Sequence, residues 1–449
     1  MAFSVTIKTP KTRMFFFVKE NSYISVTDKK DRMAFSKYNK QVVVLYISTL
    51  IGVLIGMLVS ILNTRNLAPS EYGDVRYVNN IIQMLSGIFL FGYFVTGSRL
   101  LAIAKTKEES AQIKGGLVAI LGMTVALMMV CMIACGLIHH YILHREFAWL
   151  FYAVIPVCGS VLLLNYMNTS AQGDNSIYSI AAARLLPSAI YLVIAYLVYT
   201  HFGAYSWLML VLQNGIALLV LGIIIWYNKP SFKNLKQTFK SLQKENKSYG
   251  LQVYYGSLAN VSVQYIAGIT LGTFASNNAN VGFYSLALTV TGPLAMLPSI
   301  IGTTYFKRFA HENNISRKIL IYTLSMALLS MLGFVILIYP VVGFLYDDRY
   351  SDVALFACVL SIGFTFHGLG DVFNRFLGAH GRGKSLRNGA FISGAIALFG
   401  YTLGVYYFGI WGAIITKISA SLAYFASMVL FYIYFIKKQK SIISCQNSL

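Results

Sequence analysis

The sequence predicts an all-α polytopic membrane protein with 12 transmembrane helices, arranged as two parallel six-helix bundles around a central cavity. Three observations lead to this fold class. The chain is 57% hydrophobic and only 11% charged, whereas soluble globular proteins carry about 25% charged residues. Its apolar residues fall into separate segments of membrane-spanning length. Its Lys and Arg residues concentrate in the loops on one side of those segments, which orients the chain in the membrane.

The apolar segments define the helices. A helix needs roughly 20 apolar residues to cross a bilayer, and twelve segments approach or exceed this length. They cover residues 41–62, 78–98, 115–138, 147–164, 177–200, 206–227, 250–272, 281–303, 318–341, 353–374, 389–408 and 411–436. The five cysteines show no CxxC spacing and no Cys/His cluster. We therefore expect no disulfide framework, no metal site and no other cofactor.

The basic residues give the orientation. With the amino terminus in the cytoplasm and sides alternating at each crossing, 31 of the 36 Lys and Arg residues are cytoplasmic. Arg65, Arg76, Arg145 and Arg349 fall outside, and Lys417 falls within a segment. Both termini are therefore predicted to be cytoplasmic. The net charge of +21 lies in short loops that contact anionic lipids, so it does not indicate a nucleic-acid partner.

Five regions follow from this map. They are a cytoplasmic tail (1–40), an N-terminal six-helix lobe (41–227), a basic cytoplasmic linker (228–249), a C-terminal six-helix lobe (250–436) and a cytoplasmic tail (437–449). In the first tail, residues 33–36 repeat residues 1–4 as Met-Ala-Phe-Ser. Native translation from Met1 and from Met33 both remain open. The tail lacks the apolar region of a signal peptide.

Internal similarity supports two related halves. At an offset of about 206 to 210 residues, Gly73 corresponds to Gly282 and Gly203 corresponds to Gly409. Six crossings per half is an even number, so the halves share one orientation. This is the parallel-repeat plan of secondary transporters, in which substrate passes between two bundles by alternating access.

The first helix of each half carries small or polar residues at every fourth position. In the first half the stripe is Ser48, Gly52, Gly56 and Ser60, which favours close helix packing. The second stripe adds amides to the glycines and consists of Gln252, Gly256, Asn260, Gln264, Gly268 and Gly272. Because amide groups are costly when they face lipid, we expect helix seven to line the central cavity.

Three stretches resemble the polysaccharide transport family of the multidrug, oligosaccharidyl-lipid and polysaccharide (MOP) exporter superfamily, which includes Wzx-type O-antigen flippases. They are residues 67–73 (LAPSEYG) with Gly97-Ser98-Arg99 after them, residues 281–287 (VGFYSLA) and residues 408–413 (FGIWGA). The likeness extends from about residue 40 to residue 436.

The resemblance implies a MATE-like fold and a flippase without a cofactor. Such a protein moves an undecaprenyl-diphosphate-linked oligosaccharide, an O-antigen or similar repeat unit, from the cytoplasmic to the outer leaflet of the bacterial inner membrane. The implied partners are the polyprenyl-diphosphate-linked oligosaccharide, membrane lipids and other membrane proteins of polysaccharide assembly.

The residues fit this chemistry independently. An anionic diphosphate cannot cross hydrocarbon without compensating charge, and Arg or Lys supplies charge-assisted hydrogen bonds. The candidate cations are Arg99, Arg184, Arg375 and Lys417. The candidate amides for sugar hydroxyls are Gln83, Asn165, Gln252, Asn260 and Gln264, and Tyr46, Tyr255 or Tyr265 would stack on sugar rings.

Arg184 lies inside the start of helix five and is predicted to be more buried than an anchor, whereas each of the other cations has a second interpretation. Arg99 ends helix two on the cytoplasmic side and can serve as an anchor that reaches headgroups. Asp371 and Arg375 are four residues apart, so they form an internal ion pair, or the Arg binds phosphate while the Asp carries a proton. Lys417 stands about two turns into the last helix, where it faces the cavity or reaches the outer surface.

Two other functions are weighed. A cation-coupled multidrug or metabolite antiporter of the same superfamily needs an acidic residue inside a bundle, and Asp371 is the only carboxylate well placed for that role. A membrane enzyme needs an acidic or His-rich constellation in a sizeable loop. His139, His140 and His144 lie at an external helix end without a carboxylate partner, so we expect no enzyme activity and no catalytic residue.

Overall fold

The computed structural model describes residues 29–275 and 277–447, and within these ranges every regular element is helical. Side chains are described for residue 44 and for residues 47–255, 258, 263–275, 277–306 and 308–439. The α-helices are α1 (Lys29–Asn66), α2 (Pro69–Ile88), α3 (Tyr93–Ile103), α4 (Lys107–Leu137), α5 (Trp149–Ala153), α6 (Ser160–Gly173), α7 (Ile177–Phe202), α8 (Ser206–Tyr227), α9 (Leu235–Glu245), α10 (Leu251–Phe274), α11 (Ala279–Thr291), α12 (Pro293–Thr304), α13 (Phe306–Phe309), α14 (Arg317–Leu345), α15 (Asp352–Ala379), α16 (Gly383–Phe399) and α17 (Val405–Asn447).

The described helices give a path consistent with the predicted twelve crossings. By length and hydropathy, eight stretches can cross a bilayer, or up to ten when each of two bent pairs counts as one crossing. One of the eight, Gly383–Gln439, is a hairpin, because Gly409 has a positive φ of 54° and Gly404 lies against Gly412 across the turn. The 24-residue helix α10 supplies a further crossing.

The second crossing is broken rather than straight. Helices α2 and α3 meet at an angle of 56°, where Phe91 and Gly92 have φ values of 44° and 78°. In the second half, α11 and α12 join at Gly292, just before Pro293, and together they count as one apolar span of 26 residues, Ala279–Thr304. Broken helices are typical of transporters that bind substrate within the membrane.

Three predicted regions contain more helix than the apolar segments indicate. Helix α1 begins at Lys29, so part of the predicted tail 1–40 is helical, and residues 1–28 lie outside the described part. The predicted linker 228–249 contains an amphipathic helix, α9. Helix α17 continues to Asn447, through most of the predicted tail 437–449. Apolar windows locate the membrane-buried part of a helix, and polar turns extend a helix beyond it.

The landmarks of the internal repeat take equivalent positions. Gly203 joins α7 to α8 and Gly409 forms the turn near the start of α17, and both have a positive φ, which glycine adopts without steric cost. Gly73 and Gly282 lie against each other where α2 crosses α11. The two halves therefore meet at a pair of residues related by the repeat.

Helices α2 and α10 are antiparallel neighbours that join the halves. Gly272 lies against Tyr77, and Gly268 lies against Asn80 one turn further along. At the other end of the pair, the Tyr254 hydroxyl donates to the carbonyl of Ile88 at 2.6 Å. Small residues at such a crossing let two backbones approach closely, as is common in membranes.

One end of the bundle is closed between the halves. We call it the sealed end; it carries the α1–α2 loop and the α14–α15 loop, and it is the outer end in the predicted orientation. Arg65 donates from Nε to the carbonyl of Leu345 and from a terminal nitrogen to that of Phe344, both at 2.9 Å. Ser60 and Tyr346 share a hydrogen bond of 3.1 Å between their hydroxyls. The opposite end, which carries α9, is the linker end.

The first small-residue stripe packs rather than lines a cavity. Ser48 is buried, and a Cβ on Gly52 would lie 3.6 Å from Leu185 of α7. Near the sealed end, the Tyr191 hydroxyl of α7 donates to Asn63 of α1 at 2.7 Å. The stripe therefore holds α1 against α7, as close packing of small residues predicts.

Candidate substrate cavity

A cavity of about 510 Å³ lies between the helices of the first half and the α10–α11 pair of the second. Helices α2, α6, α7 and α8 form most of its wall. Its polar lining includes two arginines, Arg76 and Arg184, and six amides: Asn79, Asn80, Gln83, Gln213, Asn214 and Gln264. Within the described part of the chain, no Asp or Glu lines this cavity. Its formal charge is therefore positive.

Arg76 reaches the cavity from the second turn of α2. Its Nε donates to the hydroxyl of Tyr72 at 2.8 Å, and its guanidinium lies 5.1 Å from the centroid of that ring. None of the ion pairs of the described residues includes Arg76. A neutral partner orients a guanidinium without cancelling its charge, so Arg76 remains available to an anion.

The sequence map assigned Arg76 to the loop on the outside, whereas the structure has it within helix α2. Helix α2 begins at Pro69, where the Glu71 carboxylate accepts the backbone N–H of Ala68 at 3.0 Å. This capping interaction starts the helix nine residues before the predicted apolar segment. The signal in the sequence that could have identified Arg76 as a cavity residue was its spacing, because positions 76, 79, 80 and 83 share one helical face.

Arg184 stands at the other end of the cavity. It lies two turns into α7 on the linker side and donates from Nε to Asn168 at 3.1 Å. The prediction that it is more buried than an anchor was wrong, because its side chain is exposed. Tyr191, seven residues further along α7, also lines the cavity near the sealed end, a rise of about 10 Å. The two guanidiniums therefore flank the cavity along its length.

An amide network fixes part of the wall. Ser160 donates to the Asn214 carbonyl oxygen at 2.8 Å, and the Asn214 amide donates to Asn79 at 3.2 Å. Tyr265 donates weakly to Gln83, at 3.4 Å. The buried Oε1 of Gln213 has no hydrogen-bond partner in the described structure. A buried polar atom without a partner is costly, so this oxygen is suited to accept a hydrogen bond from a molecule in the cavity.

The sequence-predicted residues divide into three groups. Arg184, Gln83 and Gln264 line the cavity, together with Tyr265. Arg99, Asn165, Gln252, Asp371, Arg375 and Lys417 do not belong to its lining. The side chains of Asn260 and Tyr46 lie outside the described ones.

Among the residues outside the lining, Arg99 contacts residues at the end of the linker. It forms an ion pair of 2.8 Å with Glu245 at the end of α9, and its guanidinium lies 4.8 Å from the ring centroid of Tyr249. Gln252 is exposed at the start of α10, and Asn165 is partly buried on α6. These contacts place Arg99 at the junction between α3 and the linker.

The ion pair predicted between Asp371 and Arg375 is not formed. Arg375 is exposed and takes part in none of the ion pairs of the described residues. Asp371 instead accepts a hydrogen bond of 2.9 Å from the Tyr424 hydroxyl of α17. The spacing of Asp371 and Arg375 along one helix made the ion pair feasible. Tyr424 of a neighbouring helix instead donates a hydrogen bond to the Asp371 carboxylate.

A polar cluster surrounds this carboxylate, and we call it the C-half cluster: Asp371, Tyr424, Asn374, His367 and Lys417. The Asn374 amide donates to the Tyr424 hydroxyl at 2.9 Å, and the ring of His367 stacks on that of Tyr424 at 4.7 Å. The Lys417 ammonium lies 5.0 Å from the centroid of the Phe364 ring. Hydrogen bonds thus join Asp371, Tyr424 and Asn374 within the cluster.

Comparison with known proteins identifies the family. Residues 39–306 match the family described as polysaccharide biosynthesis protein. No curated protein sequence gives a significant match.

The fold is similar to those of solved transporters and a flippase. An inward-facing multidrug resistance MATE family transporter of the MOP superfamily superposes with a TM-score of 0.64 and 15% identity, over 90% of this chain and 99% of that one. The lipid II flippase MurJ in an inward closed conformation superposes with a TM-score of 0.65 and 13% identity, over 88% of this chain and 89% of that one. An outward-facing MATE transporter of the superfamily superposes with a TM-score of 0.51 and 14% identity, over 90% of this chain and 96% of that one. The family match covers more than half of the chain, which therefore belongs to the polysaccharide biosynthesis protein family.

Proposed function

We propose that this protein is a flippase that moves an undecaprenyl-diphosphate-linked oligosaccharide from the cytoplasmic to the outer leaflet of the bacterial inner membrane by alternating access. The observation that carries the proposal is the lining of the cavity, in which Arg76 and Arg184 have neutral partners and no described carboxylate is present. The family and the fold support the same class of function.

The two arginines suit the diphosphate. A charged headgroup loses its hydration when it enters the bundle, and guanidinium groups replace that hydration with charge-assisted hydrogen bonds. Arg184 is exposed towards the linker end and would meet the headgroup first. Arg76, near the sealed end, would hold the headgroup before the sealed end opens.

The amides suit the glycan. Sugar hydroxyls both donate and accept hydrogen bonds, and Asn and Gln side chains offer both functions without adding charge. Gln213 supplies an acceptor that has no partner within the described structure. The polyprenyl tail is apolar and gains nothing from this polar lining, so we place it in the surrounding lipid.

The conformation suits loading from the cytoplasmic side. The halves are joined at the sealed end by the hydrogen bonds of Arg65 and Ser60. In the orientation favoured by the basic loops, that end faces outwards. The higher TM-score with the inward-facing than with the outward-facing MATE transporter is in keeping with this state.

The test replaces Arg184 with Ala and with Lys in a strain that lacks its flippase. Normal membrane expression is checked first, and surface glycan is then measured. We expect Arg184→Ala to reduce surface glycan about ten-fold or more, because one charge-assisted contact contributes about 1.5–3 kcal/mol. Lys should restore part of it, since it keeps the charge but loses the bidentate geometry. Arg387→Ala, which removes an exposed arginine from the same end, is the control. Normal surface glycan with Arg184→Ala would contradict the proposal.

The second candidate function is a cation-coupled multidrug or metabolite antiporter. It is favoured by Asp371, a carboxylate inside the second half with a hydroxyl partner. The two functions are separated in proteoliposomes that contain the purified chain. A flippase transfers lipid-linked glycan between leaflets, whereas an antiporter moves a soluble drug only against a proton or sodium gradient.

A further inference from the structure

The linker helix α9 presents a row of lysines on one face. Lys236, Lys240 and Lys244 follow one another at every fourth position, and all three are exposed. We call them the α9 lysine face. None of the ion pairs among the described residues includes them. At the same end, Arg99 and Lys114 are paired with Glu245 and Asp174.

The opposite face of α9 is docked on the bundle. Thr238 and Leu242 are buried, and both lie against Gly116 of α4, where a Cβ would approach Thr238 to 2.7 Å. Just before the helix, the Ser231 N–H donates to the carbonyl of Ala111 at 2.8 Å. The linker is therefore a fixed platform, and its lysines have a defined direction away from α4.

The platform lies close to the membrane interface. Trp226 and Tyr227 end helix α8 with 80% and 84% of their surface exposed, and Phe232 precedes α9 with 54% exposed. Exposed aromatic residues at a helix end are typical of the level of the headgroups. Helix α9 therefore starts a few residues from the depth at which lipid phosphates lie.

We propose that the α9 lysine face binds the headgroups of anionic phospholipids in the adjoining leaflet. Four residues along a helix advance about 6 Å, so neighbouring lysines can contact separate phosphates. None of the three lines the cavity, which distinguishes this surface from the path proposed for the lipid-linked glycan. The proposal goes beyond the flippase function and holds for any substrate.

The contact would also fix the start of α10. The π-helical turn Asn246–Gly250 joins α9 directly to α10. Within it, the Asn246 amide donates to the carbonyl of Phe91 at 3.0 Å and accepts from Thr96 at 3.1 Å. Lipid bound to α9 would therefore hold the point where the linker meets the broken helix α2–α3.

The experiment measures lipid binding to the purified full-length chain by native mass spectrometry. The lipids are phosphatidylglycerol and, separately, phosphatidylcholine, with no glycan lipid present. The variant is K236Q/K240Q/K244Q. The control, K105Q/K107Q/K384Q, removes three exposed lysines next to the starts of α4 and α16, which are predicted to lie at the same end. We expect the α9 variant to bind phosphatidylglycerol about ten-fold more weakly and the control less than about three-fold more weakly.

Phosphatidylcholine binding should be equal in all three proteins, and about 0.5 M salt should remove most of the difference. The proposal is overturned when the α9 variant and the control bind phosphatidylglycerol within about three-fold of each other. A melting temperature equal to that of the wild type shows that the variant is folded. Because no glycan lipid is present, the result does not depend on the proposed flippase activity.

Discussion

The cavity wall of the first half and the C-half cluster use similar residues in opposite ways. In the cavity wall, Arg76 and Arg184 contact neutral groups, Tyr72 and Asn168, and face open space. Their charge has no counter-charge among the described residues of the lining. Such residues favour a ligand that carries negative charge, because the ligand supplies what the protein lacks.

In the C-half cluster, three polar groups contact one another. Asp371 accepts from Tyr424, which in turn accepts from Asn374, and Lys417 lies against Phe364. Polar side chains that satisfy one another between helices hold a bundle together in lipid. The difference teaches that the position of a charged residue within the membrane does not decide its function alone. It also matters whether neighbouring groups leave its charge without a counter-charge.

The largest expected effect comes from removing two positive charges from the cavity wall, compared with removing Lys417 of the C-half cluster together with the cluster's neighbour on α15, Arg375. The double variant R76A/R184A should lower the initial rate of glycan-lipid transfer in proteoliposomes on the order of 100-fold or more, because each lost contact costs about 1.5–3 kcal/mol. The variant R375A/K417A should retain at least about a tenth of the rate, since neither residue lines the cavity. Equal losses in the two variants would remove the distinction between the regions.

The fold was accessible from the sequence because lipid imposes a simple length rule on helices. The hairpin at Gly409 and the turn at Gly203 were also predictable, since both glycines mark the repeat. The break at Gly92 was not, because it depends on a close approach to Gly250 of the other half. Hydropathy carries no information about such contacts.

The site was harder to predict from the sequence, again because it depends on contacts between helices. Gln83, Arg184 and Gln264 could be selected as polar residues within apolar segments, and they line the cavity. Arg76 was missed because the polar first turns of α2 read as a loop. The Asp371–Arg375 pair was suggested by spacing, yet Tyr424 lies 53 residues away in sequence and takes the carboxylate. Partners from other helices decide which polar groups remain free.

An intermediate effect is expected where the halves meet, because the cavity wall functions as described only while the sealed end is closed. A side chain at Gly73 would collide with the backbone of Asn278. Gly73→Ala should therefore destabilise the closed state by about 1–3 kcal/mol. The measurement is maleimide labelling of Gln83→Cys from the sealed side, in a background without native cysteines, and labelling should become faster.

The matched control for Gly73→Ala is Gly56→Ala, because a Cβ at Gly56 meets nothing within 4 Å. Its labelling rate should stay close to that of the parent. Unchanged labelling in the Gly73 variant, together with a normal melting temperature, would mean that the α2–α11 crossing does not close the cavity. The arginines would then face water from both sides, and the contrast with the C-half cluster would lose its basis.

The smallest expected effect compares one hydroxyl from each region. Tyr265→Phe removes a weak donor to Gln83 in the cavity, at 3.4 Å, and a hydroxyl available to the glycan. It should raise the KM for glycan lipid about two- to five-fold and leave the melting temperature unchanged, as the loss of one neutral hydrogen bond predicts. Tyr424→Phe removes the donor to Asp371 and the acceptor of Asn374. It should lower stability by about 1.2 kcal/mol, because two hydrogen bonds are lost and each between membrane helices contributes about 0.6 kcal/mol on average, and it should leave the KM unchanged. The opposite pattern, a change in KM only with Tyr424→Phe, would assign substrate contact to the second half and support coupling through Asp371.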